Sequence, residues 1–197
     1  MNKEVFPERE RKFRDAISRR QPTLTIVLEN IHDPHNISAI LRSCDAVGMM
    51  DVYVIQTTVP KRRKLGQKSS ASARLWVAVH YFDSVEECVK ELKARDFKIW
   101  ATHLSSDAKG LYSLNLAEPA ALVFGNEHLG VSDEICQYAD GNFIIPMAGM
   151  IPSLNVSVAC AVSLYEAYRQ REQAGMYDKP QLGPEAMEKL YAEWTWK

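Results

Sequence analysis

Four cysteines, Cys44, Cys88, Cys136 and Cys160, stand far apart and form no C-x-x-C pair, which leaves buried free thiols as the expectation. No strand is followed by G-x-G-x-x-G and no glycine run leads into a P-loop lysine, so neither a Rossmann dehydrogenase nor a kinase is expected. H-E-x-x-H is absent, and His32 and His35 have no cysteine or further histidine beside them. They read as turn or surface residues, and no metal site is expected. No apolar run approaches the roughly 18 residues of a membrane span, and no charged-then-apolar leader precedes the first polar helix. A reducing cytoplasm and no membrane partner are therefore expected. Neither an internal repeat nor a low-complexity segment interrupts the chain.

What is present is an ordinary globular composition, 46% hydrophobic and 25% charged over 197 residues, enough for one substantial core. The net charge of -1 points to neither nucleic acid nor membrane, but its distribution is uneven. Residues 1–20 hold seven Lys or Arg against four Asp or Glu, and residues 61–74, KRRKLGQKSSASAR, hold six against none. A polyanion could bind there; a solvated basic loop is the commoner outcome for an isolated run.

Apolar runs alternate with helical patterns along the chain. A basic helix over Glu8 to Arg20 precedes a strand at Leu24 to Leu28. A helix from Pro34 and Asn36 follows, with Ile37, Ile40, Leu41, Cys44 and Val47 on one face. Strands are expected at Val52 to Ile55, Trp76 to Val79, Phe97 to Ala101, Ala120 to Phe124 and Phe143 to Ile145, with helices from Ser84 to Ala94 and from Ser132. Six such runs separated by helices call for a mainly parallel six-stranded sheet with helices on both faces. The domain is expected to span 1–176. Residues 177–197 form a short tail and helix whose Leu190, Tyr191, Trp194 and Trp196 must dock on the body or on a partner.

The centre of the chain is Asn142 to Tyr168, where a short strand meets a loop broken by Pro146, Gly149 and Pro152 and then opens a long helix running to about Ala174. Leu154, Val158, Ala161, Val162, Tyr165 and Tyr168 recur at helical spacing and are expected to be its buried face. Ser153 or Asn155 can cap it, which is the usual role of such residues. The alternative is contact with an oxygen-rich ligand at a helix start after a strand. Polar residues recur at the carboxyl ends of strands: Asn36 with Arg42, Thr102, Gly125 with Glu127, and Ser153 with Asn155. Ligands in open α/β sheets lie there. Arg42 falls roughly 160° from the apolar stripe of its own helix, so it is either solvated or turned toward a polar cleft or a second subunit. Glu127 is either a loop carboxylate bonded locally or part of the same pocket.

NISAILR (36–42), FGNEHLG (124–130) and IIPMAGMIPSLNVS (144–157) together resemble the three motifs of the SpoU branch of the SPOUT RNA methyltransferases, and the flanking HDPHN and YEAYRQREQAGMY resemble its TrmH type, the tRNA guanosine 2'-O-methyltransferases. The likeness covers roughly residues 20–176. It implies a C-terminal deep trefoil knot, a homodimer, bound S-adenosylmethionine, and tRNA as substrate, at guanosine 18 of the D-loop. Position by position it implies cofactor contacts at Thr102, Gly125, Ile145, Met147 and Leu154. It implies reaction-centre roles for Asn36, Arg42, Glu127, Ser153 and Asn155. Phosphates of tRNA would meet Arg9, Arg11, Arg14 and Arg19 of the basic helix and Arg62, Arg63 and Lys64 of the basic loop. No special role is assigned to Asn126 or His128.

The implied chemistry is in-line attack of a ribose 2'-oxygen on a sulfonium methyl group, helped by proximity and exclusion of water. Arg42 as a free base is costly, because Arg titrates above about 12; a charged Arg42 that orients the hydroxyl and stabilises developing alkoxide is the favoured role. The alternatives are 2'-O-methylation of ribosomal RNA and a catalytically silent RNA-binding dimer.

Overall fold

The computed structural model describes residues 6–58, 73–126 and 129–197. Seven strands form one sheet: β1 (Leu24–Glu29), β2 (Asp51–Ile55), β3 (Ala78–Phe82), β4 (Lys98–Thr102), β5 (Lys109–Gly110), β6 (Ala120–Phe124) and β7 (Gly141–Ile144). Their order is β3-β2-β1-β6-β4-β7-β5, and every pairing is parallel. The seventh strand corrects the expected six. It is β5, two residues in the Gly110 loop that pair with Phe143 and Ile144, too short to carry any alternation of its own.

The central strands are largely apolar because both faces are covered, with Thr25 and Glu29 of β1 the buried polar exceptions in β1 and β6. Side chains alternate between them. Ile26, Leu28, Leu122 and Phe124 enter a core under α2 (Pro34–Ala46) and α6 (Val156–Gln173), whereas Val27, Ala121, Val123, Ile99 and Ala101 enter a second core under α4 (Val85–Ala94) and α5 (Asp133–Tyr138). Cys44, Cys88 and Cys160 are buried free thiols in these cores, and Cys136 is half-buried.

Two local expectations need correction. The strand expected at Trp76 begins only at Ala78. Residues Ala73–Trp76 form a helical turn, α3, because Ala73 and Val77 sit one turn apart, are both buried, and are joined by the Val77 N–H donating to the Ala73 carbonyl at 3.1 Å. The long helix α6 buries only part of the face expected: Val162 and Tyr168 pack against the core half-buried, but the centre of the buried face lies elsewhere. Val156, Cys160, Ser163, Leu164, Glu166, Ala167 and Arg171 are inside, while Val158 and Tyr165 are 46% and 54% exposed.

A third, smaller core joins the two ends of the described chain. Helix α1 (Pro7–Ser18) offers Phe13 and Ile17, and α7 (Pro184–Thr195) offers Met187, Leu190, Tyr191 and Trp194, with Trp76 of α3 between them. Trp194 is 2% exposed, as burial of a large aromatic group favours, but Trp196 is left outside. At the far end of α6, Arg171 is fully buried. Its guanidinium donates to the carbonyls of Leu116, Thr23 and Glu118 and to the side chains of Gln21 and Thr23, over 2.9–3.1 Å. This ties the helix to the entry ends of β1 and β6. Among the described residues no helix is long and apolar enough to cross a membrane.

Candidate active site

The carboxyl ends of β4, β6 and β7 open into a pocket of about 680 Å3, where an open parallel sheet binds ligands. Its wall contains all five residues expected to touch a cofactor, Thr102, Gly125, Ile145, Met147 and Leu154, together with Ser153 and Asn155. His103, Leu104, Pro146, Pro152 and Ala159 also line it. Of these, Pro146 and Pro152 were read from the sequence only as loop breakers, and His103, Leu104 and Ala159 were not singled out.

Each position has a local cause. Thr102 donates its hydroxyl to the Val123 carbonyl at 2.9 Å, so it faces the pocket through the rest of its surface. Gly125 is required by the closure of its own loop. The Gly130 N–H donates to the Asn126 carbonyl at 2.8 Å, and a Cβ on Gly125 would lie 2.1 Å from the Gly130 carbonyl and 2.2 Å from the Val131 nitrogen. Pro146, Gly149 and Pro152 keep the next segment irregular, leaving Met147 at the pocket edge and Met150 and Ile151 exposed.

Asn155 both caps α6 and bridges the site. Its Oδ1 accepts from the Ser157 N–H at 2.9 Å and from the Ser157 hydroxyl at 2.6 Å. With the oxygen so placed, its Nδ2 donates to Asn36 Oδ1 at 3.1 Å. The first and third motifs therefore meet through one hydrogen bond. Ser153 is exposed on the rim.

Arg42 does not join them within one chain. It is exposed on the outer side of α2, makes no hydrogen bond or ion pair with the described residues, and is not part of the pocket wall. Glu127, Arg62, Arg63 and Lys64 lie outside the described residues. Of the basic helix, Arg9, Arg11 and Arg19 are exposed. Arg14 is committed elsewhere. It pairs with Glu10 at 3.1 Å and Glu188 at 2.8 Å and lies 4.2 Å over the Tyr191 ring, which fastens α1 to α7.

Sequence reasoning also missed Asn126. Its buried amide donates to the Asn30 carbonyl at 3.0 Å and meets His32 Nδ1 at 2.9 Å. Among the described lining residues the only titratable side chain is His103, and the other polar groups along the wall are backbone groups, amides and hydroxyls set against apolar side chains. Among the described residues no group of three His, Cys, Asp or Glu is placed to hold a metal ion.

Comparison with known proteins agrees with this geometry. The model of the SpoU rRNA Methylase family matches residues 23–165, and that of the SpoU rRNA methylase C-terminal region matches 169–196. The tRNA (guanosine(18)-2'-O)-methyltransferase of Thermus thermophilus is 44% identical over 191 residues, 96% of each chain. The Aquifex aeolicus enzyme of the same name is 38% identical over 98% of this chain and 91% of its own. The crystal structure of the A. aeolicus TrmH/SpoU tRNA modifying enzyme matches with a TM-score of 0.89 at 39% identity, covering 96% of this chain and 95% of that one. The SpoU methyltransferase AviRb from Streptomyces viridochromogenes, solved with AdoMet, matches at 0.70 and 28% identity over 80% of this chain and 61% of its own. With one family model spanning the whole sheet and the start of α6, a second spanning the end of α6 and all of α7, and relatives more than a third identical along nearly their whole length, the chain belongs to the SpoU rRNA Methylase family.

Proposed function

We propose that this protein transfers the methyl group of S-adenosylmethionine to the 2'-oxygen of a ribose in tRNA, at guanosine 18. The observation that carries the proposal is that all five expected cofactor positions meet Ser153 and Asn155 in one pocket, with Asn36 one hydrogen bond away. Support comes from the relatives, which are named for this reaction in T. thermophilus, A. aeolicus and Escherichia coli, and from AviRb, whose structure holds AdoMet. The pocket suits such a molecule: Leu104, Ile145, Met147, Leu154 and Ala159 offer an apolar bed for a nucleobase, and backbone groups with Ser153 and Asn155 offer partners to its polar parts.

When bound, S-adenosylmethionine supplies an electrophilic methyl carbon. The chain's own part is to hold the ribose hydroxyl in line and to keep water away, which Met147 and Leu154 at the rim serve. Arg42 acts from a second copy of the chain, as a charged donor to the developing alkoxide rather than as a base. The homodimer this requires would cover Val158, Tyr165, Met150 and Ile151, all exposed in the single chain. In the same reading residues 1–176 form the methyltransferase domain, 177–197 a short tail folded back on α1, and the segment after β7 completes a trefoil knot. The enzyme works in the cytoplasm. Arg9, Arg11 and Arg19, with Arg62, Arg63 and Lys64, meet tRNA phosphates.

Tritium transfer from labelled S-adenosylmethionine tests this against its rivals. Label is expected in tRNA, lost when guanosine 18 is replaced. Label in ribosomal RNA instead would change the substrate class. No label in either, with cofactor binding intact, would leave an RNA-binding dimer.

A further inference from the structure

Asn126 lines the pocket and His32 stands beside it, outside the pocket wall, and their hydrogen bonds determine where the imidazole carries its proton. Asn126 is 6% exposed and lines the pocket. Its Oδ1 accepts from the Leu129 N–H at 3.2 Å, while its Nδ2 faces the Asn30 carbonyl and His32 Nδ1. Turning the amide over would set oxygen against the Asn30 carbonyl and NH2 against the Leu129 N–H, two repulsions in a buried place, so its orientation is determined. Opposite a donor, His32 Nδ1 can only accept, and the hydrogen of the neutral ring sits on Nε2.

That hydrogen points away from Asn126 on an exposed residue. The frame behind it is stiff. Asn30 has a positive φ of 52°, and its side chain accepts from the Thr57 and Thr58 N–H groups at 2.9 and 3.1 Å and donates to the Thr57 hydroxyl at 2.9 Å. The exits of β1, β2 and β6 are thereby joined around His32, four residues before Asn36 in the chain.

We propose that His32 is an RNA-binding residue whose Nε2–H donates to a phosphate oxygen of the nucleotide presented to the pocket, and that Asn126 is the positioning residue that keeps the hydrogen on that nitrogen. This rests on the ribose-methylation reading. As a neutral donor, His32 orients the strand without adding to counterion release.

The test uses the full chain with a tRNA transcript containing guanosine 18. His32→Ala is expected to raise both KM and Kd for tRNA about tenfold, the scale of one hydrogen bond to a charged group. Cofactor affinity, the salt slope of RNA binding and the saturated rate, within about threefold, stay unchanged. His32→Gln, whose amide nitrogen reaches the Nε2 position, is expected to restore tRNA affinity; His32→Asn is not. Nitrogen-15 shifts of the His32 ring should report the Nε2–H form in the parent and a mixture in Asn126→Ala.

Unchanged tRNA affinity in an active, folded His32→Ala protein would overturn this assignment alone. So would an equal loss in the Gln and Asn variants accompanied by weaker cofactor binding, which would make His32 a turn residue. A parent that binds S-adenosylmethionine yet methylates no RNA would overturn the methylation reading and this proposal with it.

Discussion

In the proposed reaction the shape of the Arg42 side chain counts as much as its charge. Lysine keeps the charge but loses the planar fork that can hold a phosphate and a ribose hydroxyl together. Arg42→Lys is therefore expected to bind cofactor normally and to transfer methyl about 100-fold more slowly at saturating tRNA, the scale of losing a preorganised donor. Single-turnover rates isolate that step, and a near-parental rate would remove Arg42 from the reaction centre. Leu154 allows a complementary experiment inside the pocket. Leu154→Arg fills the apolar bed and should abolish cofactor binding in calorimetry while the protein stays folded; unchanged affinity would place the cofactor elsewhere.

Helix α6 is held at both ends by polar side chains rather than by its apolar stripe alone. Arg171 is the stronger hold. Burial lowers its guanidinium from the usual arginine range to about 10, and every partner it bonds is neutral. Arg171→Met strips donors from three carbonyls at the entry ends of β1 and β6, and should cost on the order of 3 kcal/mol in chemical denaturation. A loss below about 1 kcal/mol would mean that water replaces it. This helix also shows where pattern reading stops. Its placement and its position after β7 were legible, because Pro146, Gly149 and Pro152 mark the boundary and strand exits gather polar residues; its start was narrowed to Ser153 or Asn155, of which Asn155 is the cap. Which side it buries was not. Val158 and Tyr165 are as apolar as Val156 and Leu164, and only the position of α2 decides which pair is covered. Arg42 was read correctly as facing away from its own core, but its distance from the pocket wall depends on tertiary placement that no spacing encodes. The same holds for β5, whose two residues exist as a strand only because β7 lies beside them.

Over the whole molecule, pH and salt probe different features. Burial pushes the Cys88 thiol from 9.0 up to about 12 and also raises Cys44, Cys160 and Tyr177. A group whose folded value is raised stabilises fully below its unfolded value and loses that contribution as pH rises toward the folded one. Denaturant midpoints should therefore hold at about pH 8 and fall between about pH 9 and 12. Arg171, lowered on folding, acts in the opposite sense above about pH 10 but is one group against several. A midpoint that rises over that window would contradict the burial of the thiols. Salt tests the proposed RNA surface. Neutralising Arg62, Arg63 and Lys64 together should reduce the slope of log affinity against log salt by about 3, roughly one for each phosphate left without its cation. An unchanged slope would shift phosphate binding to Arg9, Arg11 and Arg19.

The docking of α1 on α7 also sets an order of events during synthesis. Phe13 and Ile17 leave the ribosome early, yet the Trp194 they pack against follows only after the whole sheet has been made, on the order of 10 s or more at translation speeds of about 5–20 residues per second. Throughout that interval the basic helix carries an uncovered apolar side, so the nascent chain passes through a stage in which the sheet is made but α1 is still undocked. A quality-control factor that binds short amphipathic helices would find its target then and lose it once Trp194 closes the aromatic cluster.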